Sequence, residues 1–198
     1  MGGRLVTVDW GPLVISQLEF YWDNHFRPRL DGLTDDEYLW EPVAGCWTVR
    51  RGDDGRHRAD GPWPEPGAPP PVTTIAWRLA HITVNFHTRV GTFFDDTVPN
   101  DAGMFDPRHV PADLPATAGA ALAFLDDAYR RWHAAIAALD ADGLARPLGP
   151  RGEYFAADPM AALIVHVNRE TMHHGGEIGV LRDLYRAGLA GVGRNTGG

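Results

Sequence analysis

The segment HVNRETMHHGGEI, residues 166–178, indicates both how this chain folds and where its chemistry lies. Inward-facing positions recur through it every three or four residues, which is the pattern of an amphipathic helix. Two ionisable residues on that face, Glu170 and His174, are one helical turn apart, so their side chains project side by side. The whole face comprises Leu163, Val167, Glu170, His174, Ile178, Leu181 and Tyr185.

A carboxylate on a core-facing helix surface calls for a specific partner. Carboxylates are rarely buried unless they are paired or coordinate a metal. Glu170 and His174 therefore predict either part of a metal site or a buried hydrogen-bonded pair without metal, and the spacing alone does not separate the two.

Helical periodicity occurs in four segments, at about residues 11–30, 73–95, 116–139 and 159–187. Four helices of this length predict an all-α fold, a four-helix bundle, as one domain over residues 1–198. The first helix is expected to turn Val14, Leu18, Tyr21 and His25 to the core. The third has the clearest apolar face, with Leu122, Leu125, Tyr129, Trp132, Ile136 and Leu139.

The connections between these helices are long and rich in proline and glycine, at residues 40–72, 96–115 and 140–157. Such loops are either functional lids or surface elaboration. Within the first loop, residues 47–51 and the residues after His57 predict a short β-hairpin over one end of the bundle.

The second helix offers a third metal ligand. His81 lies between two adjacent apolar stripes and is expected to face inward. His87 lies six residues further and points elsewhere, while His166, His173 and Glu177 are expected near the site as surface, packing or supporting residues. Two histidines and one carboxylate suit Zn²⁺, Ni²⁺, Fe²⁺ or Mn²⁺, and three protein ligands leave a position open for water or substrate.

Composition excludes several classes of function. The formal net charge is −8, and arginines are scattered among acidic residues, so nucleic acid is not an expected partner. No apolar run is long enough to span a membrane, and no signal peptide is evident, so a cytoplasmic protein is expected. The single cysteine, Cys46, excludes an internal disulfide and is expected to be a small packed residue.

Three segments together resemble the DinB-like superfamily of four-helix metalloproteins. These segments are EPVAGCWTVR (residues 41–50), WRLAHI (77–82) and ETMHHGGEIG (170–179). Many members of that superfamily bind a divalent metal through three histidines, which correspond here to His81, position 170 and His174. Glutamate at position 170 departs from that pattern and is similar to the His-Glu-His triad of the mycothiol-dependent maleylpyruvate isomerase branch.

The resemblance implies a divalent ion, most often zinc, held by His81, Glu170 and His174. It also implies a transferase or isomerase that uses a low-molecular-weight thiol such as mycothiol together with an electrophilic substrate. The second domain of the maleylpyruvate isomerase has no counterpart in this chain, so maleylpyruvate is not the expected substrate. The alternative is a non-catalytic metal-binding or stress-response protein, and a homodimer is one option for its assembly.

Overall fold

A computed structural model describes residues 8–61, 69, 71–95 and 101–188 of the chain. Residues 1–7, 62–68, 70, 96–100 and 189–198, some of which belong to two of the expected loops, lie outside the described residues. The α-helices are α1 (Trp10–Tyr21), α2 (Asp35–Tyr38), α3 (Ile75–Phe93), α4 (Ala118–Ala137), α5 (Ala141–Ala145) and α6 (Met160–Arg186). The strands are β1 (Val49–Arg51) and β2 (His57–Ala59), and 3₁₀ turns cover Pro28–Leu30, Pro107–His109 and Pro150–Phe155.

The four long helices form a bundle, which confirms the predicted all-α fold. Helix α3 packs against α4 and α6, and α1 packs against the same two helices from the other side. Threonine side chains cap the N-termini of α3 and α4. The Thr74 hydroxyl accepts a hydrogen bond from the backbone N–H of Trp77, and the Thr117 hydroxyl accepts one from the backbone N–H of Ala120. Large buried side chains from all four helices fill the centre, including Leu18, Phe86, Leu125, Trp132, Ile136, Ile164 and Val167.

The first helix departs from the expected core face. Residues Trp22–Phe26 form a π-helical turn, which contains more residues per turn than an α-helix and rotates the following side chains. As a result Trp22 and Phe26 are buried, whereas His25 is exposed. The expected inward position of His25 was therefore wrong, because a regular helical period was assumed across this turn.

The first glycine of the HHGG sequence allows α1 to approach α6 closely. A Cβ atom built on Gly175 would lie 2.4 Å from the hydroxyl oxygen of Tyr21 and 2.9 Å from a ring carbon of Phe26. The Tyr21 hydroxyl donates a hydrogen bond to the carbonyl oxygen of Met172 at 3.2 Å. Residue 175 therefore has to be small for α1 to pack beside His174.

The predicted hairpin is present and covers the start of α3. Strands β1 and β2 pair antiparallel, with Val49 opposite Ala59. The Thr74 hydroxyl donates to the Thr48 hydroxyl at 2.8 Å in a buried contact, and the Trp77 indole N–H donates to the carbonyl oxygen of Asp60 at 2.9 Å. These bonds fix the first turn of α3, which carries His81 one turn further along.

A buried ion pair ties the C-terminal end of α6 to α2. Arg182 is 1% exposed and Glu37 is 3% exposed. The guanidinium donates two hydrogen bonds to the carboxylate, from Nε to Oε1 at 2.7 Å and from Nη2 to Oε2 at 2.9 Å. This bidentate pair sets the position of the second half of α6.

In the part of the chain that the structure describes, no helix has the length and apolar character that crossing a membrane requires.

Candidate functional site

The structure brings His81 of α3 together with Glu170 and His174 of α6. The Nε2 atom of His174 lies 3.3 Å from Oε2 of Glu170, and the Nε2 atom of His81 lies 3.9 Å from the same oxygen. One ligand atom from each of the three residues lies within 4.8 Å of the others. The three side chains therefore converge on a common point, from two facing helices of the bundle.

This spacing fits a metal ion. Ligand atoms at about 2.1 Å in a tetrahedral arrangement are separated by about 3.4 Å. The His174–Glu170 distance already has that value, and small side-chain rotations of His81 and Glu170 would close the remaining gap. Two imidazole nitrogens and one carboxylate oxygen are also a donor set that zinc and related divalent ions accept.

The environment of His81 keeps its ring neutral at pH 7. Burial, assisted by the nearby His174, lowers the pKa of His81 to about 4, against the opposing effect of Glu170. The indole of Trp77 stacks on the His81 ring, with centroids 5.2 Å apart and planes 10° from parallel. The stacking holds the orientation of the ring, and its neutrality leaves a lone pair for coordination.

His174, which is 7% exposed, is oriented by a second carboxylate. Its Nδ1 atom lies 2.7 Å from Oε2 of Glu177, and Nε of Arg78 lies 3.0 Å from the same oxygen. When Nε2 keeps its lone pair for a metal, the ring proton is on Nδ1 and is donated to Glu177. Arg78, whose Nη1 atom also lies 3.0 Å from Nδ1, then acts by balancing the charge of Glu177.

The other histidines of these helices take separate positions. His87 contacts the ring of Phe124 on α4 and points away from the site, as its spacing predicted. His166 lies beside the site, with Nδ1 3.8 Å from Oε1 of Glu170. The exposed His173 forms a second cluster with His174 and Glu177, in which one ligand atom of each lies within 4.8 Å of the others.

Of the two clusters, the one with Glu170 is the better metal site. In the second cluster the Oε2 atom of Glu177 is already engaged by Nδ1 of His174 and by Arg78. Glu177 therefore serves to orient His174, and Nε2 of the same ring faces Glu170.

Two of the three converging residues, His81 and Glu170, line a cavity. We call it the central cavity; its volume is about 540 Å³, and His81, Glu170, His166 and Arg89 contribute to its wall. A side cavity of about 320 Å³ shares His166 and Arg89 with it. Another cavity, of about 550 Å³, reaches His81 from beneath the hairpin. A ligand in the central cavity would contact Glu170 and His81 directly.

Some residues around the site were not predicted from the sequence. The sequence places Arg78 three residues before His81, on the adjacent turn of the same helix, so its proximity to the site could have been predicted. Arg89 lies three residues after Phe86, which is on the buried stripe of α3, so its inward position could have been found from the helical period. Met104 and Phe105, which line both the central and the side cavity, come from a loop and carry no comparable signal.

The single cysteine lies apart from these features. Cys46 is buried, and burial raises the pKa of its thiol, with a further contribution from Glu41. This agrees with the expectation of a packed residue, since an un-ionised, buried thiol is a poor nucleophile.

Comparison with known proteins gives the family of the chain. No curated protein and no solved structure matches it. A family model described as the DinB superfamily matches residues 17–178, a range that includes all four long helices in whole or in part and the three converging residues. DinB-like proteins often bind metal. The match covers most of the sequence, and the chain belongs to the DinB superfamily.

Proposed function

We propose that this protein is a divalent-metal-dependent enzyme that activates a low-molecular-weight thiol for attack on a small electrophile. The observation that carries the proposal is that two residues of the His81, Glu170 and His174 cluster, His81 and Glu170, lie in the wall of the central cavity. Three protein ligands beside an open space are typical of catalytic rather than structural metal sites.

The residues of the chain would divide the work as follows. Nε2 of His81, Oε2 of Glu170 and Nε2 of His174 would hold the ion, for which we propose zinc. A bound divalent ion would lower the pKa of a thiol placed next to it, so that the thiolate is present at neutral pH. Glu177 fixes the ring of His174 through Nδ1, and Trp77 fixes the ring of His81.

The open cavity favours an enzyme over the alternative of a non-catalytic metal-binding or stress-response protein. A site that only stored or sensed an ion would be expected to close around it with four protein ligands. Among the described residues, the converging set at this point contains three ligands, and the cavity begins directly beside two of them.

The preference for a thiol comes from the glutamate at position 170. The similarity of the His-Glu-His set to mycothiol-dependent enzymes of the same superfamily supports mycothiol as the co-substrate. In an S-transferase reaction with a halide, the thiolate sulfur forms a bond to carbon while the halide departs with its electron pair. With an epoxide the C–O bond breaks and its oxygen takes up a proton, and with an activated alkene the carbanion formed by addition takes up the proton. In an isomerase the same sulfur adds to an activated double bond and is later expelled.

The test is a thiol-consumption assay with the zinc-loaded protein. Mycothiol would be incubated with a halide, an epoxide and an activated alkene in turn, and loss of free thiol would be measured against the uncatalysed rate. Cys46 should add little background because it is buried. We expect one electrophile class to react faster with protein, and the acceleration to disappear after chelation.

The matched control is Glu170→Leu, which replaces one proposed ligand with an apolar side chain that cannot coordinate a metal. Equal acceleration by this variant and by the wild-type protein would contradict a metal-activated thiol. Hydrolysis of the electrophile without loss of thiol would instead point to a metal-bound water as the nucleophile and would overturn the thiol assignment.

A further inference from the structure

The side cavity contains a buried arginine whose charge has no counter-ion in the described part of the chain. Arg89 of α3 is 7% exposed, and its side chain lines both the side cavity and the central cavity. Among the described residues its guanidinium makes one hydrogen bond, from Nη1 to the carbonyl oxygen of Met104 at 2.5 Å. Its Nε atom is buried and has no hydrogen-bond partner.

No carboxylate of the described residues lies within ion-pair distance of Arg89, which contrasts with the buried Arg182. Arg182 donates two hydrogen bonds to Glu37, whereas Arg89 donates one to a neutral carbonyl. Asp158 lines the side cavity but is exposed. Burial lowers the pKa of Arg89 to about 10, with Glu153 opposing the shift, so the side chain is still charged at pH 7.

A buried cation without a counter-ion is costly. The Arg89 guanidinium lies over the ring of Phe105, 5.2 Å from its centroid, but this contact supplies no opposite charge, whereas an anionic ligand would. The planar guanidinium presents N–H donors in a geometry that matches a carboxylate. The rest of the side cavity is largely apolar, with Leu148, Phe155 and Leu163 in its wall. The walls therefore suit a compact apolar group attached to the anion.

We infer that Arg89 binds the carboxylate of the electrophilic substrate, which would be a small organic acid with an apolar body. This inference rests on the proposed function, since the thiol would occupy the open side of the His81, Glu170 and His174 cluster. The side cavity meets the central cavity at Arg89 and His166. An acid held by Arg89 would thus extend its reactive carbon toward that cluster.

The test is ligand binding to protein treated with chelator, so that its outcome does not depend on the metal. Benzoate and its neutral analogue benzamide would be titrated by calorimetry into the wild-type protein and into Arg89→Met and Arg89→Lys. We expect benzoate to bind more tightly than benzamide to the wild type. Arg89→Met should weaken the affinity for benzoate by about tenfold or more, because it removes charge-assisted hydrogen bonds, and should leave the affinity for benzamide unchanged.

Arg169→Met provides the matched control, because Arg169 also lines the side cavity but is exposed. It should change benzoate binding less than Arg89→Met does, and Arg89→Lys should retain part of the preference for the acid. Circular dichroism verifies that each variant is folded. Wild-type benzoate affinity in a folded Arg89→Met protein, or no preference of the wild type for benzoate over benzamide, would overturn the inference. Failure of thiol activation in the assay above would leave these binding results intact.

Discussion

Replacing Glu170 with leucine separates a metal site from a buried polar cluster. In the metal-free protein, the Glu170 carboxylate lies 3.3 Å from His174 Nε2 and 3.9 Å from His81 Nε2. His81 is neutral at pH 7, because burial holds its pKa at about 4. The substitution therefore does not leave a charged His81 without its partner. We expect the free energy of unfolding without metal to change by less than about 1 kcal/mol, or to increase.

The loaded protein should behave differently. An ion present at about 100 times its dissociation constant stabilises the folded state by about 2.7 kcal/mol. For a chain of this size each kcal/mol shifts the melting temperature by about 2–4 °C, so zinc should raise the melting temperature of the wild type by about 5–11 °C. Leucine cannot coordinate, and the loss of the charged ligand should abolish most of this shift.

The assay is a set of thermal melts with zinc and with chelator, on wild type, Glu170→Leu and Glu170→His. The histidine variant restores the three-histidine set of many DinB-like proteins and should keep a zinc-dependent shift. The reasoning is refuted if zinc leaves the wild-type melt unchanged, or if Glu170→Leu retains the full wild-type shift.

Three further predictions concern the residues around the site and the packing of the bundle. Glu177→Gln should lower zinc affinity by about 10–100-fold in a competition titration, because it weakens the orientation of His174; an unchanged affinity would contradict that role. Arg182→Met should cost about 3–5 kcal/mol in urea unfolding, because it removes both hydrogen bonds to the buried Glu37 and leaves that carboxylate only the longer ion pair with Arg186 at 3.7 Å, while the double variant with Glu37→Leu should recover much of it. His109 is 3% exposed, and burial lowers its pKa. As the pH decreases below 6.5, the unfolded chain therefore binds a proton at His109 before the folded chain does, and the free energy of unfolding decreases. His109→Gln should therefore flatten the decline of stability between pH 6.5 and 5, and an unaltered slope would argue against it.

The parts of the site that follow a regular helical period could be predicted from the sequence. Glu170 and His174 share a face with Val167 and Ile178, both fully buried, so their direction followed from a spacing of three and four. His81 was placed on α3 by the same reasoning. Their convergence depends on the packing of α3 against α6, which a four-helix bundle allows but the helical period of either segment does not fix.

Features that depend on distant partners or on irregular backbone could not be predicted. Arg182 is buried because Glu37, 145 positions earlier in the chain, neutralises it, and no local pattern reveals that pair. The π-helical turn at Trp22–Phe26 breaks the period on which the expected position of His25 relied. Helix α5 and the 3₁₀ turn at Pro150–Phe155 lie within residues 140–157, which were expected to form a loop. Both elements are short and contain glycine, so they give no helical periodicity in the sequence.

The most direct test of the central claim is the number of zinc equivalents retained after exhaustive dialysis. The wild-type protein should retain one equivalent, and His81→Ala, Glu170→Leu and His174→Ala should each lose it while staying folded. His173→Ala, which alters the exposed neighbour of His174, should keep one equivalent. Full retention by any of the three ligand variants, or loss of zinc from His173→Ala, would contradict the assignment of His81, Glu170 and His174 as the metal ligands.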